Sequence, residues 1–179
     1  GQIISLHKPL VMGIMNVTPD SFYAGSRAQT EESIRARIRE IVSEGGDIID
    51  LGAYSARPGG ADEISEEEEK ALRILSNEYP QLIYSVDTWR SNIARWAVEE
   101  YGAGIINDIS GGSLDKDMFK TVTELQVPYI LMHMRGTPQT METQTDYTDV
   151  GLEVLDFFIQ KSEELRALGL HDLILDPGF

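Results

Sequence analysis

The sequence contains no cysteine, only three histidines, and half as many basic as acidic residues. Without cysteine there is no disulfide framework, thiolate metal site or cysteine nucleophile, which fits a reducing cytoplasm. The net charge of −15 repels a phosphate backbone, so we expect no nucleic-acid partner. No apolar run approaches the ~20 residues that a membrane span needs, so we expect no membrane association either. These absences leave a cytoplasmic globular protein as the expected class.

The remaining composition is ordinary for a globular domain, with 41% hydrophobic and 25% charged residues. A length of 179 residues matches one domain, which we place over 1–179. Short apolar runs alternate with helical patterns along the chain. The runs predict six strands, at 10–17, 47–53, 82–88, 104–110, 129–134 and 173–176.

Five helices are expected between these strands, and local signals mark several of their ends. Thr30 is a candidate N-cap of the first helix. Ser65 and Glu68 have the spacing of a capping box, which indicates that the second helix starts there with a solvated acidic face. Gly102 and Gly169 are expected stops. The residues assigned to buried helix faces are Ile34, Ile38, Ile41, Val42, Ala71, Leu72, Leu75, Ile93, Ala97, Val98, Tyr101, Met118, Val122, Leu125, Val150, Val154, Phe157, Phe158, Leu165 and Leu168.

Strict alternation of strand and helix favours parallel strands with right-handed crossovers, an α/β fold. Two architectures fit: an open doubly wound sheet, or part of a TIM (β/α)8 barrel. A full barrel has eight strands and about 250 residues. The chain ends directly after the sixth predicted strand, so we expect a truncated domain in which strands seven and eight are absent.

Polar residues close most of the predicted strands, where parallel α/β folds build their sites. A single Asn or Asp at a strand end is equally well explained as a turn residue, but a succession of them favours a site. The set comprises Asn16, Asp50, Asp87, Asn107, Asp108, His133 and Asp176. His133 stands alone among them as a histidine, so we interpret it as a structural residue rather than a metal ligand.

Asp87, Asn107 and Asp176 together suit a flat, nitrogen-rich heterocycle. Carboxylates accept N–H bonds from an amino-pyrimidine edge, and an asparagine both donates and accepts. Buried carboxylates without partners would be costly, so they indicate a ligand. Asn16 offers a carboxamide oxygen to Mg²⁺, which prefers oxygen ligands and often bridges to phosphates.

Two loops after the first strands are long enough to contribute to a site. The loop 18–25 could act as a lid. In the second loop Arg57 lies between Ser55 and Pro58, a combination that could hold an anion through its guanidinium and backbone N–H groups. Neither a Gly-x-Gly-x-x-Gly motif nor a P-loop is present, which excludes the usual dinucleotide and NTP fingerprints.

Six segments resemble, in order and spacing, the signatures of the dihydropteroate synthases, the sulfonamide-target enzymes of folate synthesis. They are MNVTPDSF (15–22), DLGAYSARPG (50–59), SVDT (85–88), INDI (106–109), LMHM (131–134) and LDPGF (175–179). The likeness spans the whole chain. It implies a TIM barrel that condenses dihydropterin pyrophosphate with p-aminobenzoate, giving dihydropteroate and pyrophosphate.

The resemblance also implies roles for individual residues. Asp87, Asn107 and Asp176 would bind the pterin ring as the catalytic residues, and Ile109 and Met132 would line its pocket. A second group would shape the region of pyrophosphate, Mg²⁺ and p-aminobenzoate, with Asn16 as the metal ligand: Asn16, Asp20, Phe22, Ser55, Ala56, Arg57 and Pro58. The implied mechanism is dissociative, with pyrophosphate leaving before the arylamine attacks.

The sequence departs from the family pattern at two places. Tyr54 and Ala56 replace the usual glutamate and threonine, so Ala56 cannot offer a hydroxyl to pyrophosphate. The family's lysine on strand seven, and its arginine and histidine on strand eight, have no counterparts here. Full-length members of this family often form homodimers through the last barrel helices.

Two alternatives remain open at this point. A pterin-binding methyltransferase of the same barrel superfamily would share the Asp87, Asn107 and Asp176 floor, but would need neither the lid nor the loop around Arg57. If the chain is complete as it stands, it would instead be a non-catalytic pterin-binding module.

Overall fold

The computed structural model describes residues 7–17, 27–53 and 64–178. Within these ranges six β-strands alternate with five α-helices, as predicted. The elements are β1 (Met12–Val17), α1 (Arg27–Ser43), β2 (Ile48–Ala53), α2 (Glu66–Glu78), β3 (Ile83–Asp87), α3 (Ser91–Tyr101), β4 (Ile105–Asp108), α4 (Met118–Leu125), β5 (Tyr129–Met132), α5 (Val150–Leu168) and β6 (Leu173–Asp176). A 3₁₀ turn at Met141–Thr143, between β5 and α5, was not predicted from the sequence.

The strands form one parallel sheet in the order β1-β2-β3-β4-β5-β6. A doubly wound sheet would reverse its strand order at a switch point. The consecutive order therefore rejects that alternative and agrees with six units of a barrel. Over the described residues β1 and β6 do not pair, so the sheet is an unclosed arc.

The two faces of the sheet carry different layers of the core. Alternate residues point toward the helices and form the main cluster with them; these include Met15, Leu51, Val86, Ile106 and Leu131. Each of the five is at most 2% exposed, and burial of such a side chain contributes about 1.5–3 kcal/mol. The opposite, inner face contains a smaller apolar cluster, formed by Ile48, Ile105 and Ile130. Polar residues lie above this cluster, toward the carboxyl ends of the strands.

Several predicted helix ends are confirmed by their cap geometry. The Ser65 hydroxyl accepts the Glu68 N–H, and the Glu68 carboxylate accepts the Ser65 N–H, so α2 begins with a complete capping box. Glu68 itself is only 2% exposed, so the acidic face is solvated only in part. Gly102 and Gly169 end α3 and α5 in the left-handed region, with φ of 76° and 104°.

Four expectations about the helices were wrong. Thr30 is not an N-cap: α1 already begins at Arg27, so Thr30 lies inside the helix and is buried there. Val42, Val150 and Leu168 are exposed by 42–49% rather than buried. Each of these three lies at or next to a helix end, and beside Val42 it is Ile41 that packs into the core. None of the helices in the described ranges is long and apolar enough to cross a membrane.

Candidate active site

The predicted polar residues form a row across the inner face of the sheet. The strand registers place Asn16 beside Gly52, Gly52 beside Asp87, and Asp87 beside Asn107. Because neighbours in register on parallel strands point to the same face, these four positions share one level at the carboxyl end of the arc. The structure therefore brings Asn16, Asp87 and Asn107 together, as the sequence predicted.

Asp176 lies one step further along the strands. Met132 is its register partner on β5, whereas Asn107 pairs with Ile130, two residues earlier on that strand. Met132 and Asp176 thus continue the inner face, displaced by one pleat from the row. The Asp176 Oδ1 atom accepts the N–H of Gly178 at 2.9 Å, which fixes the carboxylate at the start of the following turn. Ile109 follows β4 in a turn and is partly exposed.

Gly52 gives the Asn16 side chain its space. A Cβ added at position 52 would overlap the Asn16 Oδ1 atom, so the carboxamide lies across β2 in the direction of Asp87. The side chain of Asn16 is itself exposed. Its oxygen is therefore accessible at the edge of the row, which suits a ligand to a partly hydrated cation.

Asp87 supplies the carboxyl group of the row, and its ionisation is strongly perturbed. Its Oδ1 atom is buried and has no hydrogen-bond partner among the described residues. Burial raises the pKa of Asp87 to about 7, and the negative charges of Asp50 and Asp108 add to the effect. A buried acceptor without a donor costs free energy, so this oxygen is available to an N–H group that the described residues do not supply.

Below Asp87, a buried network links three strands. Asp50 on β2 is 6% exposed and accepts a hydrogen bond from the Ser85 hydroxyl on β3. Its Oδ2 atom accepts the Asn107 Nδ2–H from β4 at 3.0 Å. Burial raises the pKa of Asp50, and these two hydrogen bonds oppose the rise. Each carboxylate oxygen thus has a donor, as a buried charge requires.

The sequence placed Asp50 among the polar residues at strand ends but predicted no specific role for it, and Gly52 and Ser85 were not singled out. A usable signal was present, since Asp50 and Gly52 are two residues apart on β2, as Ser85 and Asp87 are on β3. Strand side chains alternate between faces, so a residue two positions before a site residue shares its face. A polar residue at that position inside an apolar run indicates a site partner.

Asp108 was grouped with the strand-end residues, but it lies on the opposite face of the sheet. It is completely buried and accepts hydrogen bonds from Ser110 N (2.8 Å), Gly112 N (3.0 Å) and the Tyr129 hydroxyl (2.6 Å). Its carboxylate therefore organises the turn after β4. It contributes to the site only through its negative charge.

His133 packs its ring edge-on against Phe157 at 5.1 Å between centroids. Burial lowers the pKa of His133, with Arg135 adding to the effect.

The described part of the chain has no group of three or more His, Cys, Asp and Glu side chains that could hold a metal ion. Six predicted site residues lie outside the described residues: Asp20, Phe22, Ser55, Ala56, Arg57 and Pro58.

Comparison with known proteins gives a consistent result. The pterin binding enzyme family matches residues 12–179. The folate synthesis bifunctional protein of Arabidopsis thaliana is 41% identical over 96% of this chain and 37% of its own length. The dihydropteroate synthase of Escherichia coli K12 is 37% identical over all of this chain and 64% of its own length.

Solved structures show the same relationship. The Xanthomonas albilineans dihydropteroate synthase in complex with 7,8-dihydropteroate superposes with a TM-score of 0.78 at 34% identity. That superposition covers 100% of this chain and 64% of the other. The chain therefore spans just under two thirds of single-function relatives and about a third of the plant bifunctional protein. The TIM-barrel prediction is confirmed, with six strands and five helices of the barrel supplied by this chain. The family match over nearly the whole chain, together with these identities, shows that the chain belongs to the pterin binding enzyme family.

Proposed function

We propose that this protein is a dihydropteroate synthase, which condenses dihydropterin pyrophosphate with p-aminobenzoate and releases pyrophosphate. The observation that carries the proposal is the buried Asp87 Oδ1 atom, which has no donor among the described residues and faces the site beside Asn107. The names of the relatives support the same reaction.

The pterin ring would be bound through its N–H edge. Asp87 and Asp176 accept hydrogen bonds from ring and amino N–H groups, and Asn107 offers one acceptor and one donor. A donor that reaches Asp87 relieves the cost of its desolvated charge, and hydrogen bonds to ionised groups are the stronger kind. Ile109 and Met132 would contact the faces of the ring.

The pyrophosphate end would lie toward β1. Asn16 is exposed there at the end of the row, and one protein oxygen together with substrate phosphates is a common way to hold Mg²⁺. The donor present thus fits a Mg²⁺ ion, which would neutralise charge on the leaving pyrophosphate. By the same family likeness, Ser55, Ala56, Arg57 and Pro58, together with the lid around Asp20 and Phe22, would shape the region of pyrophosphate and p-aminobenzoate. Arg57 would supply the positive charge there.

The chain's own residues suit a dissociative reaction. When the C–O bond to pyrophosphate breaks, a positive charge develops on the pterin-methyl group. The carboxylate of Asp87, held in a desolvated site, stabilises that charge without reorganising. The arylamine nitrogen of p-aminobenzoate then forms the new C–N bond and loses a proton. Positioning and electrostatics carry the reaction, so no covalent intermediate with the enzyme is required.

The test is pyrophosphate release by the purified protein with dihydropterin pyrophosphate, with and without p-aminobenzoate. Release that depends on both substrates supports the proposal, and we expect Asp87→Ala or Asp176→Ala to weaken pterin binding by about 1–3 kcal/mol per charged hydrogen bond lost. Methyl transfer to a corrinoid acceptor without pyrophosphate release would identify the methyltransferase alternative. Pterin binding without turnover would identify a binding module.

Two further expectations belong to the same proposal. The full-length protein would form a homodimer, which sedimentation would detect as a doubled mass. Its location would be cytoplasmic, as the absence of cysteine suggested, although two of the plant relatives are named as mitochondrial.

A further inference from the structure

We propose that Asp50 is a positioning residue, whose buried carboxylate fixes the orientation of the Asn107 side chain in the ligand site. The inference rests on the proposed function only for the identity of the ligand. Asp50 is on β2 and Asn107 on β4, yet the Oδ2 and Nδ2 atoms are 3.0 Å apart. The bond therefore passes over the intervening strand β3.

The side chain between them explains how this contact forms. Ser85 on β3 is the register partner of Asp50, and its short side chain leaves the inner surface open at this level. The Ser85 hydroxyl also donates to the other oxygen of Asp50, which prevents the carboxylate from rotating. The hydrogen bond from Ser85 thus fixes the Asp50 carboxylate, and the carboxylate in turn fixes the Asn107 side chain.

The consequence for Asn107 is chemical as well as geometric. An ionised carboxylate only accepts hydrogen bonds, so the NH₂ group of Asn107 has to face it. Rotation of the carboxamide by 180° would place Oδ1 against Asp50 and leave two acceptors in contact. Such an unsatisfied pair costs more than an ordinary hydrogen bond contributes. The orientation of Asn107, and with it the donor and acceptor pattern presented to a ligand, is specified by Asp50.

The first experiment measures the affinity for 7,8-dihydropteroate by calorimetry at pH 8, above the pKa of about 7 of Asp87, so that a change in its protonation does not contribute. We expect Asp50→Asn to weaken binding about fivefold, because both carboxamide orientations then become available. In an Asn107→Ala background, Asp50→Asn should have no further effect, since the residue through which it acts is gone. An equal loss in both backgrounds, or no loss in either, would overturn the proposal.

Ser85→Ala provides a milder variant in case Asp50→Asn does not fold. It removes one of the two hydrogen bonds to Asp50 and keeps the charge, so we expect about a twofold loss of affinity, again absent in the Asn107→Ala background. A loss of affinity that persists in the Asn107→Ala background would count against a positioning role for Asp50.

The second experiment needs no ligand and separates this inference from the proposed function. In ¹⁵N-labelled protein, the Asn107 NH₂ signals are identified by their absence in Asn107→Ala. One of the two protons should exchange slowly in the unsubstituted protein and faster in Asp50→Asn. If the ligand does not bind at all, the proposed function fails while the exchange rates still decide the role of Asp50. Equal exchange rates of the Asn107 NH₂ protons in Asp50→Asn and in the unsubstituted protein would refute the positioning role of Asp50.

Discussion

The carboxamide of Asn16 lies across Gly52 of the neighbouring strand, at a distance that leaves no room for a Cβ between them. The glycine at this position is therefore required for space, and not for its backbone conformation. It also lies in the same register row as Asp87, so any change at position 52 affects two candidate site residues.

Gly52→Ala should displace the Asn16 side chain and impair the pyrophosphate end of the site. We expect pyrophosphate release to fall roughly tenfold or more, because small displacements of positioning groups have effects of that size. Gly104→Ala is the matched control, since a Cβ there meets neighbours only at 3.7 Å, an ordinary contact. Equal activity of the two variants would show that Asn16 does not need its present position.

Asp87→Asn should stabilise the ligand-free protein, and more so at higher pH. The pKa of Asp87 is about 7 in the folded protein against an ordinary value of 3.8, so the folded state holds the proton more tightly. The resulting stabilisation is fully present below pH 3.8 and is lost as the pH rises through 7. We expect the difference in the free energy of unfolding between Asp87→Asn and the unsubstituted protein to grow by on the order of 2–3 kcal/mol between about pH 5 and pH 8.

Urea unfolding of the two proteins across this pH range measures the effect. Asp47→Asn supplies a contrast of opposite sign, because the Val11 N–H and Lys8 hold the pKa of Asp47 below its ordinary value. Its contribution to stability is present at neutral pH and is lost as the pH falls into the acid range. If the free energy of unfolding changed with pH in parallel for Asp87→Asn and the unsubstituted protein, the raised pKa of Asp87 would be contradicted.

Ligand affinity should depend on the same carboxyl group. Only ionised Asp87 accepts two N–H bonds, so the affinity for 7,8-dihydropteroate should rise with pH by up to about tenfold per unit below pH 7 and level off above it. Calorimetry in buffers with different ionisation enthalpies should also detect proton release on binding at pH 6. A pH-independent affinity would exclude Asp87 as a charged acceptor, and Asp87→Asn should bind weakly without this pH dependence.

Tyr129→Phe should destabilise the fold and leave the ligand site intact. The Tyr129 hydroxyl is buried and donates to Asp108 on the helix-facing side of the sheet. Loss of a donor to a buried carboxylate should cost about 1–3 kcal/mol in the free energy of unfolding. Tyr79→Phe, at a partly exposed position, is the control. A variant as stable as the unsubstituted protein would show that Asp108 has sufficient donors without Tyr129.

The sequence predicted the alternation of elements because its signals are local. Gly102 ends a helix through its own backbone freedom, and Ser65 with Glu68 form a cap within one turn. The start of α1 was missed because the sequence has no large apolar residue between Arg27 and Ile34, so periodicity gave no sign of the first turn. Thr30 then looked like a cap, although it lies inside the helix.

Within the site, residue types were predicted better than their contacts. Asn16, Asp87 and Asn107 lie in one row because they stand near the carboxyl ends of β1, β3 and β4, and that follows from the order of parallel strands. The bond from Asp50 to Asn107 joins two strands that are not neighbours. It depends on sheet curvature and on the small side chain of Ser85 between them, and neither can be derived from spacing along the chain.

Asn107 and Asp108 are consecutive residues that serve opposite faces of β4, one in the ligand row and one under the helices. Adding or deleting one residue within this four-residue strand would exchange their places. The carboxylate of Asp108 would then face Asp50 and Asp87, and its hydrogen bonds from the β4–α4 turn would be lost. A change in chain length at β4 would therefore remove the site and part of the core together, whereas the exposed turn at 136–140 has no comparable constraint.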